Sequence, residues 1–326
     1  MTSSYQSLGA EDYPAWNAFV AASPQGSVFA STPYLEALGC RFQLLAVRRG
    51  KEILAGVPLI QGHLGAYALP LFVKYAGVLF AALPGTETTQ ASRRYELHEH
   101  LLPGLRRYPS FEYNFHPGYD NWLPLRWAGY RQTTLYTYRL PAERAGTWLE
   151  ESHSRVRRHV RAAERRQLHC VVRADYDDLI YDLLMAPYRQ RQAPPPKGRA
   201  AMTRFATALI AGGLGRVWQA VSGHGDPQCA ALVIEDQQWA YLLAHGCKPE
   251  TDPAANTYLI AEIIDDTLGR GLGFDFEGSV IRPIEHYYRG FGGDLVPYSR
   301  IWRPGLASNA RRLGLAAARR VLGYER

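Results

Sequence analysis

The sequence predicts an α/β protein made of two tandem domains, each a mixed, mostly antiparallel sheet flanked by helices. Three observations carry that prediction. The chain has 326 residues, enough for two ordinary domains, and 47% of them are hydrophobic, enough to fill two cores. The order of elements repeats, each half reading as helices, a three-strand meander, a helix and a strand. The hairpins at the centre of the two halves, VRRGKEILAGVPLI and VWQAVSGHGDPQCAALVIE, are also of similar size.

In the first half a helix is expected over Asp12–Ala22, stopped by Ser23-Pro24-Gln25-Gly26. A second follows Ser31-Thr32-Pro33, where hydroxyl residues precede a proline suited to a first helical turn. Strands are expected at Gln43–Arg48, Ile53–Ile60, Tyr75–Ala82, Phe111–Phe115 and Gln132–Leu140, with a helix over Arg93–Leu105. In the second half Thr147 and Glu150 make a T-x-x-E capping pattern ahead of a long helix. Leu149, Val156, Val160 and Ala163 share one face of that helix, and arginines cover the rest. Helices over Tyr176–Gln190 and up to Ala211 follow. Strands are then expected at Arg216–Ser222, Ala230–Glu235 and Trp239–His245, a helix at Ala255–Gly269 and a strand at Gly273–Glu277. The glycines of Ala211-Gly212-Gly213-Leu214-Gly215 sit where a helix ends, and read as its C-cap.

The formal net charge is +7 with 21% charged residues, and the excess is local. Arg155, Arg157, Arg158, Arg161, Arg165 and Arg166 crowd one segment, and Arg311, Arg312, Arg319, Arg320 and Arg326 follow near the C-terminus. Such patches attract phosphates, whether of RNA, nucleotide-linked substrates or anionic membranes, or else form a solvated helix face. Cys40, Cys170, Cys229 and Cys247 are scattered without a C-x-x-C pair, which argues against a zinc site or a disulfide framework. No long uncharged apolar run is present and the first twenty residues lack signal-peptide character, so the expectation is a soluble cytoplasmic protein. No histidine pair has metal-binding spacing, and no G-x-S-x-G elbow occurs. No cysteine–histidine nucleophile follows from the spacing either.

The stretch FDFEGSVIRPIEHYYRGFGG carries the chemistry. Strand alternation places Phe274 and Phe276 on one face and the carboxylates of Asp275 and Glu277 on the other, toward a cleft or toward arginine partners. Either carboxylate is a candidate general base.

The order of Trp16-Asn17-Ala18-Phe19-Val20, Trp127-Ala128-Gly129-Tyr130 with Tyr136-Thr137-Tyr138-Arg139-Leu140, and FDFEGS with YYRGFGG resembles the Fem-like branch of the GNAT acyltransferase superfamily. The resemblance spans roughly residues 10–303, in the two-domain form without a coiled-coil arm. It implies two GNAT-like domains. The first is residues 1–146, with the tail 299–326 returning to it; the second is residues 147–298 and carries the active site. It also implies an enzyme that forms an amide on an amine acceptor, such as a peptidoglycan precursor, with aminoacyl-tRNA as donor. Arg289 then stands where a cation near the reacting centre is expected, beside Tyr288. Arg191, next to Tyr188, stands where an arginine grips the acceptor's anionic part, with Tyr241 and Lys74 as further substrate contacts.

No cofactor is required by this reading, and the acyl donor is either aminoacyl-tRNA or acyl-CoA. The Q/R-x-x-G-x-G/A turn that cradles a coenzyme A pyrophosphate is missing from both halves: Gly246–Asn256 carries two prolines and two acids instead. The acceptor amine is nucleotide- or lipid-linked, contact with tRNA or a membrane surface is open, and DNA is not expected. Two alternatives stand beside this one: an acyl-CoA-dependent N-acyltransferase of polysaccharide or lipid modification, and a non-catalytic RNA- or membrane-binding protein using the Arg155–Arg166 helix.

Overall fold

The computed structural model describes residues 5–62, 67–305 and Gly314; the arginines of the C-terminal tail from Arg311 onward, and most of the tail's expected return, lie outside them. The chain forms two compact units, one of residues 1–135 with 297–326 and one of residues 136–296.

The first unit runs β1 (Gln6–Leu8), α1 (Tyr13–Ala22), α2 (Thr32–Leu38), β2 (Arg41–Arg49), β3 (Glu52–Gln61), β4 (Leu79–Phe80), α3 (Glu87–Leu105), β5 (Glu112–Asn114), α4 (Leu123–Trp127) and β6 (Arg131–Leu140), which enters the second unit at Tyr136. Strands β1 to β4 pair in sequence order, all antiparallel. As its sequence predicts, α2 starts on Ser31-Thr32-Pro33, and it stops at Gly39, whose φ of 71° needs a glycine. The strand expected over Tyr75–Ala82 is only two residues long. Gly77 turns the backbone to φ 141°, and the Ala76 N–H bonds the Asn114 carbonyl outside the meander. Trp16 anchors the core between α1 and the sheet, its indole N–H donating to the Ala30 carbonyl at 2.8 Å. Arg300–Trp302 of the returning chain pair antiparallel with β5.

A buried histidine makes this unit pH-sensitive. His98 is 2% exposed, with Nδ1 2.7 Å from the Arg94 carbonyl and Nε2 2.7 Å from the Tyr119 hydroxyl. A carbonyl only accepts, so Nδ1 carries the proton and Nε2 accepts from Tyr119. Burial is the main cause that holds this imidazole down at about 4, from an ordinary 6.5. The depressed value means that stability is whole above pH 6.5 and is lost as pH falls toward 4. The loss expected is ~3 kcal/mol. Urea melts at pH 7 and pH 4.5 check it: His98→Gln should lose less between the two than the parent does, and an equal loss rejects the assignment.

The second unit continues with α5 (Trp148–Glu151), α6 (Ser154–Arg165), β7 (His169–Arg173), α7 (Asp178–Gln190), α8 (Arg199–Ala211), β8 (Gly215–Val221), β9 (Pro227–Glu235), β10 (Trp239–Cys247), α9 (Pro253–Gly269), β11 (Gly273–Asp275) and α10 (Arg282–Arg289), and the last strand, β12 (Asp294–Trp302), passes into the first unit at Pro297. Its strands follow the order β6-β11-β10-β9-β8-β7, with β10 and β11 parallel and the other neighbours antiparallel. The long helix expected after Thr147 is instead two. Thr147 gives no side-chain cap, the chain breaks at Ser152-His153, and His153 Nδ1 accepts the Arg155 N–H to start α6. Val156, Val160 and Ala163 do face the core, and Arg155, Arg158, Arg161 and Arg165 are exposed. Phe274, Phe276, Trp148, Ile260 and Ile264 lie in that core.

The cysteine reading needs a correction. Cys229 and Cys247 stand directly opposite in the β9–β10 register and are joined by a disulfide, although 18 residues separate them. Hairpin pairing, which cysteine spacing does not reveal, brings them together. Cys40 and Cys170 are free thiols.

Candidate active site

The site grows from a defect in the second sheet. β10 and β11 pair in parallel only from Trp239↔Gly273 to Tyr241↔Asp275. Beyond that point β11 has ended, while β10 runs on to Cys247 beside β9 alone. A bulge between Leu242 and Ala244 re-aims the strand just there. The open edge from Leu242 to His245 becomes one wall of a cavity of about 360 Å³, closed by Tyr188 from α7, Arg191 just past its end, Asn256 from α9 and Tyr287 and Tyr288 from α10. Gly246 permits this: a Cβ there would collide with the Leu183 carbonyl and the Pro187 ring, so only glycine lets α7 close on β10.

His245 is the chemical centre of this cavity, and sequence reasoning missed it. Histidines were sought by metal-ligand spacing, whereas the available signal was a histidine near the end of a strand that precedes a helix. Its Nδ1 lies 3.2 Å from Asn256 Oδ1 and its Nε2 3.1 Å from the Tyr288 hydroxyl. The Asn256 amide nitrogen donates to the Tyr287 hydroxyl at 3.0 Å, which turns Oδ1 toward the histidine. Nδ1 therefore carries the proton, and Nε2 is a lone pair accepting from Tyr288. Burial first, and the Arg191 charge as well, hold the imidazole below its ordinary 6.5, while the Asn256 bond opposes them. Burial pushes the Tyr288 phenol up, helped by the nearby Tyr287 and Glu277 and opposed by Arg191. A neutral base touching a neutral phenol is thus stable at neutral pH.

Of the residues expected from sequence, Tyr188, Arg191 and Tyr288 line this cavity together. Asp275 does not join them. It is fully buried; its carboxylate accepts from Arg139 Nε at 2.7 Å, the Thr137 hydroxyl at 2.6 Å and the Glu277 N–H at 2.7 Å. The Arg139 guanidinium also stacks 4.4 Å from the Trp239 ring. Both oxygens of that carboxylate are committed to neighbours in the sheet. The alternation that sent Asp275 and Glu277 to a common face ends with the strand. Glu277 and Gly278 adopt φ 58° and 62°, and Gly278 fits against the Tyr136 carbonyl because it has no Cβ. Tyr241 is also buried, its hydroxyl donating to Asp236 at 2.9 Å, away from the cavity wall. Lys74 belongs to the first unit, where its Nζ sits 5.0 Å over the Tyr298 ring.

Arg289 lies at the end of α10, not in a glycine turn, and faces a second cavity of about 620 Å³. Nε is 3.2 Å from Glu285 and Nη2 3.0 Å from His286 Nδ1. His153, Arg155, His159 and His286 ring the same cavity over a floor that includes Val156 and Pro283. The two cavities share Asn256, Pro283 and Tyr287. The start of α9 offers no anion cradle: Asp252 already caps the Ala254 N–H at 2.7 Å and pairs with Arg166, with Pro253 next.

Residues 151–288, within the second unit, match the family model described as Acetyltransferase (GNAT) domain. With the repeated element order, this gives a fold of two GNAT-like domains, the second of which carries the matched acetyltransferase (GNAT) segment. Solved structures agree over nearly the whole chain. FemX has a TM-score of 0.69 at 12% identity, covering 94% of this chain and 99% of its own. The C-terminal domain (DUF2156) of a protein named as a lysylphosphatidylglycerol synthetase, from Agrobacterium fabrum, has 0.59 at 13%, covering 93% and 95%. A tandem GNAT protein from the clavulanic acid biosynthesis pathway has 0.52 at 13%, covering 93% and 98%. No curated protein matches the sequence. Among the described residues no helix is long and apolar enough to cross a membrane.

Proposed function

We propose that the protein transfers an aminoacyl or acyl group from a phosphate-bearing donor to a primary amine, forming an amide at the open edge of β10. The observation that carries this reading is the neutral His245–Tyr288 pair set against that open strand edge. The amine attacks the donor carbonyl and loses its proton to Nε2 of His245 as the C–N bond forms. The backbone N–H groups of the unpaired edge stabilise the developing oxyanion, and breaking of the ester or thioester bond releases the donor's alcohol or thiol, which takes up a proton.

Donor phosphates lie in the basic cavity against Arg155, Arg289 and the three histidines. The capped start of α9 argues against a pyrophosphate bound in the coenzyme A manner, so we favour an aminoacyl-tRNA donor over an acyl-CoA. A tRNA donor would put the reaction in the cytoplasm, where the Cys229–Cys247 pair would be held as two thiols. The acceptor we favour is a cell-wall precursor amine, nucleotide- or lipid-linked, with its anionic part on Arg191 and Tyr188. Asp275, once a candidate base, holds the sheet beneath the site. Tyr241 is held by Asp236 and does not line this cavity, and Lys74 lies in the first unit.

Single-turnover reactions with purified aminoacyl-tRNA and with acyl-CoAs, each offered an amine acceptor, test the donor. Product from the thioester alone would reject the tRNA reading, and product from neither would reject transfer itself. Arg191→Gln is expected to raise the acceptor's KM about tenfold or more with a smaller change in kcat. An unchanged KM would remove Arg191 from the acceptor site.

A further inference from the structure

The first unit contains a cavity of about 380 Å³ that the transfer reaction leaves unused. It occupies the same place in its repeat as the site in the second unit: the end of the fourth strand, the early turns of the following helix, and the chain entering the next short helix. Here Phe80 stands on the strand in place of a titratable group. Glu87, Gln90, Ala91, Arg94, Tyr95 and His98 form one face of α3, at the offsets of successive helical turns.

Most polar groups around this cavity are already committed. Gln25 bonds both the Gly118 carbonyl and the Phe80 N–H. Gln90 donates to the Gly85 carbonyl, and Asn121 donates to Tyr95 and accepts from Leu123. Those side chains make a fixed wall, stiffened where Tyr95 stacks on Trp127 at 5.6 Å. Of the groups that retain capacity, three lie together. Arg94 Nε is buried without a hydrogen-bond partner among the described residues, and its Nη1 reaches Asp120 only at 3.4 Å, beyond good hydrogen-bond length. The Asp120 carboxylate is mostly exposed. The Tyr119 hydroxyl spends its proton on His98 Nε2, which leaves its oxygen lone pairs as acceptors.

We propose that this cavity binds a small zwitterion of the α-amino-acid class, with its carboxylate on Arg94 and its ammonium on Asp120 and the Tyr119 oxygen. A cation and an anion 3.4 Å apart match the separation of opposite charges across one α-carbon, so the ligand lies alongside this loose pair and gives each partner a closer one. The size suits it, since small-ligand pockets begin near ~300 Å³. Glu87 and Asp120 on the wall repel a polyanion, which excludes a nucleotide diphosphate or a nucleic acid at this place. This ligand is independent of the donor and acceptor of the second unit.

The test is thermal melting and calorimetric titration of the full chain with the common L-α-amino acids singly, and with the N-acetyl and methyl-ester derivatives of any that binds. At least one amino acid is expected to raise Tm by a few degrees (about 2–4 °C), because a ligand of the native state alone stabilises by mass action. Blocking either of its charges should weaken binding about tenfold or more, as should Arg94→Gln and Asp120→Asn. Asp120→Asn changes an exposed side chain, so it reads out binding even if Arg94→Gln folds poorly. No shift with any amino acid, or a shift that survives both substitutions, overturns the proposal. Loss in Arg94→Gln alone, with the N-acetyl form binding normally, marks a simple carboxylate site and overturns the ammonium half.

Discussion

Asp275→Ala is expected to cost about 3–5 kcal/mol of stability, the typical loss when one partner of a buried ion pair is removed. The side chain is fully buried, and its loss would strand Arg139, itself 7% exposed, inside the sheet. The Thr137 hydroxyl and the Glu277 N–H would lose their acceptor at the same time. Urea denaturation measures the loss directly. The double variant Arg139→Met/Asp275→Leu should recover most of it, because neither charge is then left alone. A single variant within about 1 kcal/mol of the parent would rule out the structural role. Asp275→Asn separates structure from catalysis: as a general base the residue would lose its rate with stability intact, whereas the geometry predicts the reverse order of effects.

His245→Ala is expected to lower kcat/KM by about 10²–10⁴, the usual contribution of a positioned base, with an unchanged circular dichroism spectrum. The sign of its pH dependence follows from its surroundings. Since burial and Arg191 hold the imidazole below 6.5, the acid limb of the rate profile lies below pH 6.5. Arg191→Gln removes a charge that disfavours imidazolium, so the limb should move to higher pH. Tyr288→Phe removes the donor to Nε2 and should slow the reaction without abolishing it. A rate that survives His245→Ala would assign the proton transfer elsewhere.

Much of the fold was legible because its signals are local. Ser31-Thr32-Pro33 and Gly39 bracket α2, and the repeated hairpins gave the order of each half. Other strands were not. β1, β7 and the strand Asp294–Trp302 carry little periodicity of their own and are fixed by neighbours distant in sequence. The same holds at the site. Tyr188, Arg191 and Tyr288 were found through motifs, whereas His245 matters only because β11 stops and β10 does not, a fact of pairing. For Asp275 the structure shows the second of the two open readings, an arginine partner, which alternation alone could not name. Alternation says which face a side chain takes, but its partners Arg139 and Thr137 sit on a strand more than a hundred residues earlier.

That last pairing bears on how the acyltransferase domain can be cut from its gene. The family match begins at residue 151, yet β11 pairs with Phe274↔Leu140 and Asp275↔Arg139 of β6. A fragment cloned from the matched segment would keep the buried carboxylate and discard its arginine and one flanking strand. Recombinant or chimeric versions of this domain should therefore start no later than Tyr136, because the homology boundary and the folding boundary are different places in the chain.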